Sequence, residues 1–255
     1  MDIFEIFFSI LTIIFVIIPV TAVALLIRYV IKKSKTAQPK EVLEKEKAEL
    51  IAKARSKKET LISWQSSYLE QLSNDLDYTY SKGFTMRFNG IIKSLEDEKL
   101  IAFRRLDRGN FKTTAKIVAV ASSFEIYLSQ EQNEVAVYHN SKYLGKLVND
   151  SILNHEHQEI GRLNRNLNDK PYYIIQLHGE QLAYIIKNSD RRTVLRNPFF
   201  DFHPSSALEA EPFDDNAVSI SNTLRLYREL SDYEYQWILA LALYEIIYYG
   251  IDFTQ

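Results

Sequence analysis

The chain has 255 residues, 46% of them hydrophobic, which is enough for one sizeable folded core with additional segments. It contains no cysteine, and this excludes disulfides, thiolate metal sites and thiol nucleophiles. The formal net charge of −2 hides a polarised distribution, because residues 28–58 hold eleven Lys and Arg against four Asp and Glu, whereas residues 59–255 carry a net charge of −7.

The first predicted element is a membrane-spanning helix from Ile6 to Ile27, a stretch without a charged residue. A stretch of about 20 apolar residues is long enough to cross the roughly 30 Å of hydrocarbon in a bilayer. A secretory signal peptide would begin with basic residues, whereas here Asp2 and Glu5 come first. Basic residues follow the stretch directly, at Arg28, Lys32, Lys33 and Lys35. By the positive-inside rule, residues 1–35 are predicted to form a single-pass anchor in the cell membrane, with the N-terminus outside and the rest of the chain in the cytoplasm.

Residues 36–77 are predicted to form a helical stalk, because after Pro39 they are rich in Lys, Glu, Ala and Leu and contain few turn residues. Their apolar residues give only a broken heptad pattern, which favours a solvated stalk helix over a coiled coil. The basic part of this segment would attract anionic lipid if it lies close to the membrane surface. The alternative is that its charge only determines topology.

Residues 78–255 are predicted to form one mainly β domain, because alternation replaces the helical period from Phe84 onward. The candidate strands are Phe84–Leu95, Phe111–Ala121, Phe124–Ser129, Tyr172–Leu177, Thr193–Leu195, Phe199–Phe202 and Ala217–Ile220. Further strands are predicted where a small residue lies between two aliphatic ones, at Tyr143–Leu147, Glu159–Leu163 and Gln181–Ile185. A small residue lets something bulky approach the backbone, and we expect that to be a helix packed against the sheet.

The last predicted element is an almost wholly apolar helix between Ser231 and Gly250. Ser231 and Glu234 have the spacing of a capping box, and Gly250 is a suitable stop. The uncharged run before Glu245 is too short for a membrane span, and a carboxylate inside hydrocarbon is costly. The helix is therefore expected in the core of the domain, with Glu245 paired to an inward-facing Arg or Tyr.

The order of these strands and of the helix resembles the tubby C-terminal-like superfamily, which includes tubby domains, phospholipid scramblases and LURP-one-related proteins. The residues that carry the likeness are Leu144-Gly145-Lys146-Leu147, Ile160-Gly161-Arg162-Leu163 and the helical run from Trp237 to Ile247. The resemblance, which is closest to small prokaryotic and LURP-one-like members, implies a closed antiparallel β-barrel around a hydrophobic C-terminal helix. It also implies a non-enzymatic module linked to phosphoinositide binding, lipid movement or signalling.

Two basic clusters of this domain are candidate sites for anionic phospholipid, because arginine forks match the geometry of phosphate. The first surrounds a predicted turn and consists of Arg104, Arg105, Arg108, Lys112 and Lys116. The second consists of Arg191, Arg192 and Arg196. The alternative is that both are solvated loops, as most charge clusters are.

The sequence contains no P-loop, dinucleotide fingerprint, nucleophile elbow or zinc-protease motif, so neither a catalytic residue nor a cofactor is predicted. His155 and His157 would share one face of a strand, but a third ligand is not evident, and no metal site is predicted. The predicted function is a membrane-tethered tubby-like domain that binds lipid head groups or a protein partner, and not nucleic acid. The alternative is a scramblase-like lipid-moving protein whose C-terminal helix inserts in the membrane.

Overall fold

The computed structural model describes residues 15, 18–35, 40–81, 85–108, 114–165, 172–186 and 223–251. The chain forms two compact units, residues 1–48 and residues 49–255. Helix α1 covers Ile18–Lys35 and helix α2 covers Lys40–Arg55, so that only the last turns of α2 belong to the second unit. Two short 3₁₀ segments follow, at Lys58–Thr60 and Ser66–Gln71.

Half of the predicted membrane span, residues 6–14, 16 and 17, lies outside the described residues. Within the described part of the chain, no helix has both the length and the apolar character needed to cross a bilayer. The anchor and its orientation therefore stay predictions.

Twelve antiparallel strands make up most of the described part of the second unit. They are β1 (Leu72–Ser81), β2 (Thr85–Ser94), β3 (Lys99–Arg108), β4 (Thr114–Val120), β5 (Glu125–Glu131), β6 (Glu134–His139), β7 (Lys142–Val148), β8 (Ser151–Asn154), β9 (Glu159–Asn164), β10 (Tyr172–Leu177), β11 (Glu180–Ile186) and β12 (Leu224–Leu226). Each strand pairs with the next in sequence order. The N–H of Thr223, just before β12, donates to the carbonyl of Leu72 in β1 at 2.9 Å. The sheet is thus a nearly closed antiparallel barrel, and the prediction of a mainly β, barrel-like domain is confirmed.

The terminal helix, α3 (Asp232–Tyr244), is buried on all its faces from Trp237 onward. The capping box is present as predicted, since the Ser231 hydroxyl accepts from the Glu234 N–H while the Glu234 carboxylate accepts from the Ser231 N–H. The residues from Trp237 to Leu243 are at most 2% exposed and share one hydrophobic cluster with inward-facing strand residues such as Phe88. This burial explains how a helix without a polar face is stable in this chain. A π-helical turn, Glu245–Tyr249, continues the helix to Gly250.

A smaller hydrophobic cluster lies on the outer face of β3, β4 and β5. Leu50 and Ala54, from the last turns of α2, pack there against Leu106 and Val118. The Arg55 guanidinium donates to the Glu125 carboxylate at 2.9 Å. The end of α2 is therefore part of the barrel unit and covers β3 from outside.

The predicted stalk is α-helical over Lys40–Arg55 and continues with the two short 3₁₀ segments. Residues 72–77, which were predicted as part of the stalk, form the first part of β1. In this strand Leu76 and Tyr78 turn toward the core, while Asp77 and Thr79 are exposed. This is the period of a strand. The strands predicted at Thr193–Leu195, Phe199–Phe202 and Ala217–Ile220 lie outside the described residues.

The small residues of the strands have a different role from the one predicted. A Cβ added to Gly145 would clash with the carbonyl oxygen of Leu153, and one added to Gly161 would clash with that of Gln176. Both contacts are with a neighbouring strand and not with the terminal helix. These glycines are therefore required for close strand approach.

Candidate functional site

Four basic side chains surround Leu106 on the outer face of β2, β3 and β4. Leu106 is paired directly with Arg87 on β2 and with Lys116 on β4. Because neighbouring strands lie about 4.8 Å apart, the backbones of Arg87 and Lys116 are about 10 Å apart. Arg104 and Arg108 lie two residues before and after Leu106, about 7 Å away on either side along β3. We call Arg87, Arg104, Arg108 and Lys116 the basic face.

The outward orientation of the basic face follows from the two hydrophobic clusters. Leu106 belongs to the outer cluster under α2, whereas Phe103 belongs to the main core. Successive residues of a strand point to opposite faces, so Arg104 and Arg108 share the side of Leu106. Arg104, Arg108 and Lys116 therefore project away from the terminal helix.

Arg87 and Arg104 are the least compensated cations of this face. Arg87 is exposed and Arg104 is half-buried, and neither forms an ion pair with a carboxylate of the described residues. Burial and the neighbouring charge of Arg87 lower the pKa of Arg104. An oxyanion between the two guanidinium groups would relieve their repulsion and accept hydrogen bonds from both.

Two buried polar atoms next to this pair lack hydrogen bonds. Neither Nε of Arg104 nor Oδ1 of Asn89 has a partner among the described residues, although Asn89 is paired directly with Arg104 across β2 and β3. Buried polar atoms without a partner are rare and call for an explanation. Rotation of the Asn89 amide would present an N–H group beside the Arg104 Nε–H, so both could donate to one bound oxyanion.

Arg105, predicted as part of the same cluster, points into the barrel and is 8% exposed. Its Nη1 donates to the carbonyl oxygens of Ile247 (3.0 Å), Tyr248 (2.6 Å) and Ile251 (3.0 Å). Its Nε and Nη2 donate to the two carboxylate oxygens of Asp107 at 2.8 and 2.7 Å. The guanidinium therefore satisfies carbonyls at the end of the terminal helix. Strand alternation turns it away from Arg104, and we leave Arg105 out of the candidate site.

The other predicted site residues divide into described and undescribed ones. Arg108 and Lys116 lie on the basic face, where both are half-buried and already make contacts. The membrane-flank residues Arg28, Lys32, Lys33 and Lys35 lie on α1 in the first unit. Outside the described residues are Lys112, Arg191, Arg192 and Arg196.

Arg87 was not among the site residues predicted from the sequence. Thr85, Arg87 and Asn89 occupy every second position of a strand that was predicted, so they lie on one face of it. The position of Arg87 on a polar face could therefore have been inferred. Its proximity to Arg104 could not, because β3 was not predicted as a strand and the β2–β3 pairing was unknown.

His155 and His157 lie in the exposed turn between β8 and β9, and not on one face of a strand as expected. Among the described residues, no group of three His, Asp or Glu side chains is placed to hold a metal ion. The acidic and histidine side chains of that part of the chain therefore offer no candidate metal centre.

No protein-family model matches the sequence, and neither curated proteins nor solved structures give a match.

Proposed function

We propose that the barrel is a non-enzymatic module of the tubby C-terminal-like type, tethered at the cytoplasmic membrane face, and that its basic face binds the phosphate head group of an anionic lipid. The observation that carries the proposal is the pair Arg87 and Arg104. These two guanidinium groups lie on paired strands, without a carboxylate partner among the described residues, and one of them has a buried Nε–H with no acceptor there.

The chemistry of this pair favours phosphate over a general acidic surface. Arginine presents several N–H donors in a fixed plane, and these match the oxygens of a phosphate. Residues 59–255 carry a net charge of −7, so the domain as a whole repels anions and attraction must be local. The basic face supplies that local attraction.

The segment before the barrel supports a position close to lipid. Residues 28–58 hold eleven Lys and Arg against four Asp and Glu. A basic residue close to an anionic membrane surface contributes about 1 kcal/mol to binding. The apolar N-terminal segment and this basic segment would together hold the barrel near the bilayer, where a weak head-group site is sufficient.

Vesicle binding tests the proposal. A fragment of residues 36–255 keeps the turns of α2 that pack on the sheet and removes the apolar segment that would insert by itself. Its sedimentation is measured with phosphatidylcholine vesicles, with and without a phosphorylated phosphatidylinositol. The variant Arg87→Ala/Arg104→Ala is compared with the control Arg162→Ala/Arg225→Ala, which removes two exposed arginines elsewhere on the barrel.

We expect the basic-face double variant to bind phosphorylated lipid about 30-fold more weakly, since two lost contacts of about 1 kcal/mol each give about 2 kcal/mol. The control pair should stay close to the parent fragment, although residues 36–58 give both some background binding. Equal losses in the two double variants would mean that only net charge matters. Unchanged binding by the basic-face variant would eliminate the site. A phosphopeptide that competes better than the lipid would indicate a protein partner.

The scramblase-like alternative requires α3 to leave the core and enter the bilayer. The residues from Trp237 to Leu243 are at most 2% exposed, and the helix begins with a complete capping box. These observations give the alternative no support, and we do not propose it.

A further inference from the structure

A polar cleft of about 400 Å³ opens at the end of the barrel where α3 finishes. The residues that matter for its chemistry come from the β5–β6 and β7–β8 hairpins, the end of β9 and the π-helical turn, and they are Gln130, Asn133, Asn149, Asp150, Arg165 and Tyr248. None of them belongs to the basic face. The volume is within the usual range for small-molecule sites.

The π-helical turn gathers three tyrosine rings at this cleft. The ring of Tyr244 stacks on that of Tyr248 at 5.0 Å and meets that of Tyr249 edge to face at 5.5 Å. Tyr248 and Tyr249 are themselves perpendicular at 5.0 Å. π-helical turns are uncommon and are often found at functional sites. The cleft therefore has an aromatic wall held in a fixed arrangement.

A buried amide orients the phenol groups of this wall. The Gln130 side chain is 8% exposed. Its Oε1 accepts from the Tyr244 hydroxyl at 3.1 Å, and its Nε2 donates to the Tyr248 oxygen at 3.0 Å. The proton of the Tyr248 hydroxyl has no acceptor among the described residues, so this group can donate to a molecule in the cleft.

Arg165 lines the cleft next to the tyrosine rings. Its guanidinium lies over the rings of Tyr173 (4.9 Å) and Tyr249 (5.2 Å), and its Nη1 donates to the Tyr249 hydroxyl at 3.3 Å. Its Nε is 3.1 Å from a carboxylate oxygen of Asp150, an ion pair without hydrogen-bond geometry. The buried Nε–H thus has no hydrogen-bond acceptor among the described residues, which is rare for a buried donor.

The charges near the cleft largely cancel. Arg165 is paired with Asp150, and Arg105, behind Tyr248, is paired with Asp107. Glu245 lies deeper, 2% exposed, and accepts from the Tyr173 hydroxyl at 3.1 Å. An anion would find no uncompensated positive charge. Glu245 does not line the cleft, so a cation would meet only the Asp150 carboxylate, which Arg165 already neutralises.

The polar groups that remain available both donate and accept. Asn133 and Asn149 present side-chain amides at the exposed rim, Asp150 presents a carboxylate oxygen, and Arg165 and Tyr248 present donors. A hydroxyl group also donates and accepts, so it can match both kinds of group. We infer that this cleft binds a neutral, hydroxyl-rich molecule of monosaccharide size, a sugar or a polyol.

Titration calorimetry on the full-length protein tests the inference, in a non-ionic detergent without a sugar head group. The probes are D-glucose, D-galactose and sorbitol, with inorganic phosphate and tetramethylammonium as charged probes of similar size. We expect saturable binding of at least one neutral probe. The variants Asn133→Ala and Asp150→Asn should each weaken it about tenfold, the effect of one lost hydrogen bond. The control Gln181→Ala, an exposed residue of β11, should bind like the parent.

Three results would overturn the inference. The first is that none of the neutral probes binds saturably, and the second is that only phosphate or tetramethylammonium binds. The third is that Asn133→Ala and Asp150→Asn both keep the affinity of the parent, which would place any binding elsewhere on the protein. Because neither variant touches the basic face, failure here leaves the lipid proposal intact.

Discussion

Arg105→Met should destabilise the barrel strongly, although the position lies in a basic cluster of the sequence. The substitution removes five hydrogen bonds, three to carbonyls at the end of the terminal helix and two to Asp107. The Asp107 carboxylate, 12% exposed, then keeps its charge without a partner. Removing one member of a buried ion pair costs about 3–5 kcal/mol, and we expect about 4 kcal/mol here.

A second variant separates the unpaired charge from the lost helix cap. In Arg105→Met/Asp107→Asn the carboxylate charge is gone as well, so the cost should fall by about 2 kcal/mol relative to the single variant. The matched control is Arg162→Met, which removes an exposed arginine paired with Glu159 on the outer surface. Exposed ion pairs of this kind contribute less than about 1 kcal/mol.

Urea unfolding of the 36–255 fragment, followed by tryptophan fluorescence, measures these differences. Both tryptophans of the chain, Trp64 and Trp237, lie in the main hydrophobic cluster, so their emission reports loss of the core. The reasoning is refuted if Arg105→Met costs less than about 1 kcal/mol. It is also refuted if the double variant is less stable than the single one, because the penalty would then not come from an uncompensated charge.

Three further changes test other parts of the barrel. Hydrogen bonds from Arg228 lower the pKa of Glu234 from 4.5 to about 2. The ionised Glu234 carboxylate therefore stabilises the fold fully above about pH 4.5, and this stabilisation is lost as the pH falls toward 2. Glu234→Gln should flatten the pH profile of urea unfolding between these pH values. Gly161→Ala places a methyl group against a neighbouring strand and should lower the free energy of unfolding by more than about 3 kcal/mol. The control Gly179→Ala, at φ +84° in open space, should lower it by only about 1–2 kcal/mol, and thermal unfolding measures both. Tyr173→Phe leaves a buried carboxylate without a hydroxyl donor and should cost about 1–3 kcal/mol; a loss below 0.5 kcal/mol would argue against that hydrogen bond.

The terminal helix was the most predictable element, because its signals are local. The Ser231 and Glu234 spacing predicted the capping box, and the uncharged run before Glu245 predicted burial. Gly250 marks the end of the helix as expected, but with φ −72° it is not the left-handed cap that a glycine usually supplies. The carbonyls there bond to Arg105 instead, a residue 142 to 146 positions earlier in the chain. Such a distant partner has no local sequence signal.

Strand β3 was missed for a physical reason. Four consecutive residues, Leu100 to Phe103, are buried. Leu100, Ile101 and Phe103 belong to the main core, and Ala102 is paired directly with Val120 of the outer cluster. A strand buried on both faces shows no alternation, so its period cannot be read from hydrophobicity. For the same reason the sequence did not show whether Arg104 or Arg105 points inward. The composition of the basic face depends on that choice.

The position of α3 in the chain determines when the barrel can form during synthesis. The helix follows all twelve described strands, and the inner faces of those strands share its hydrophobic cluster. While the ribosome is still adding residues 231–250, the nascent sheet lacks the side chains that fill its interior. Chain growth proceeds at about 5–20 residues per second, so this apolar surface remains uncovered for seconds. Folding of the barrel is therefore completed only after its last helix has left the ribosome, and binding of the nascent strands by chaperones would fall in that interval.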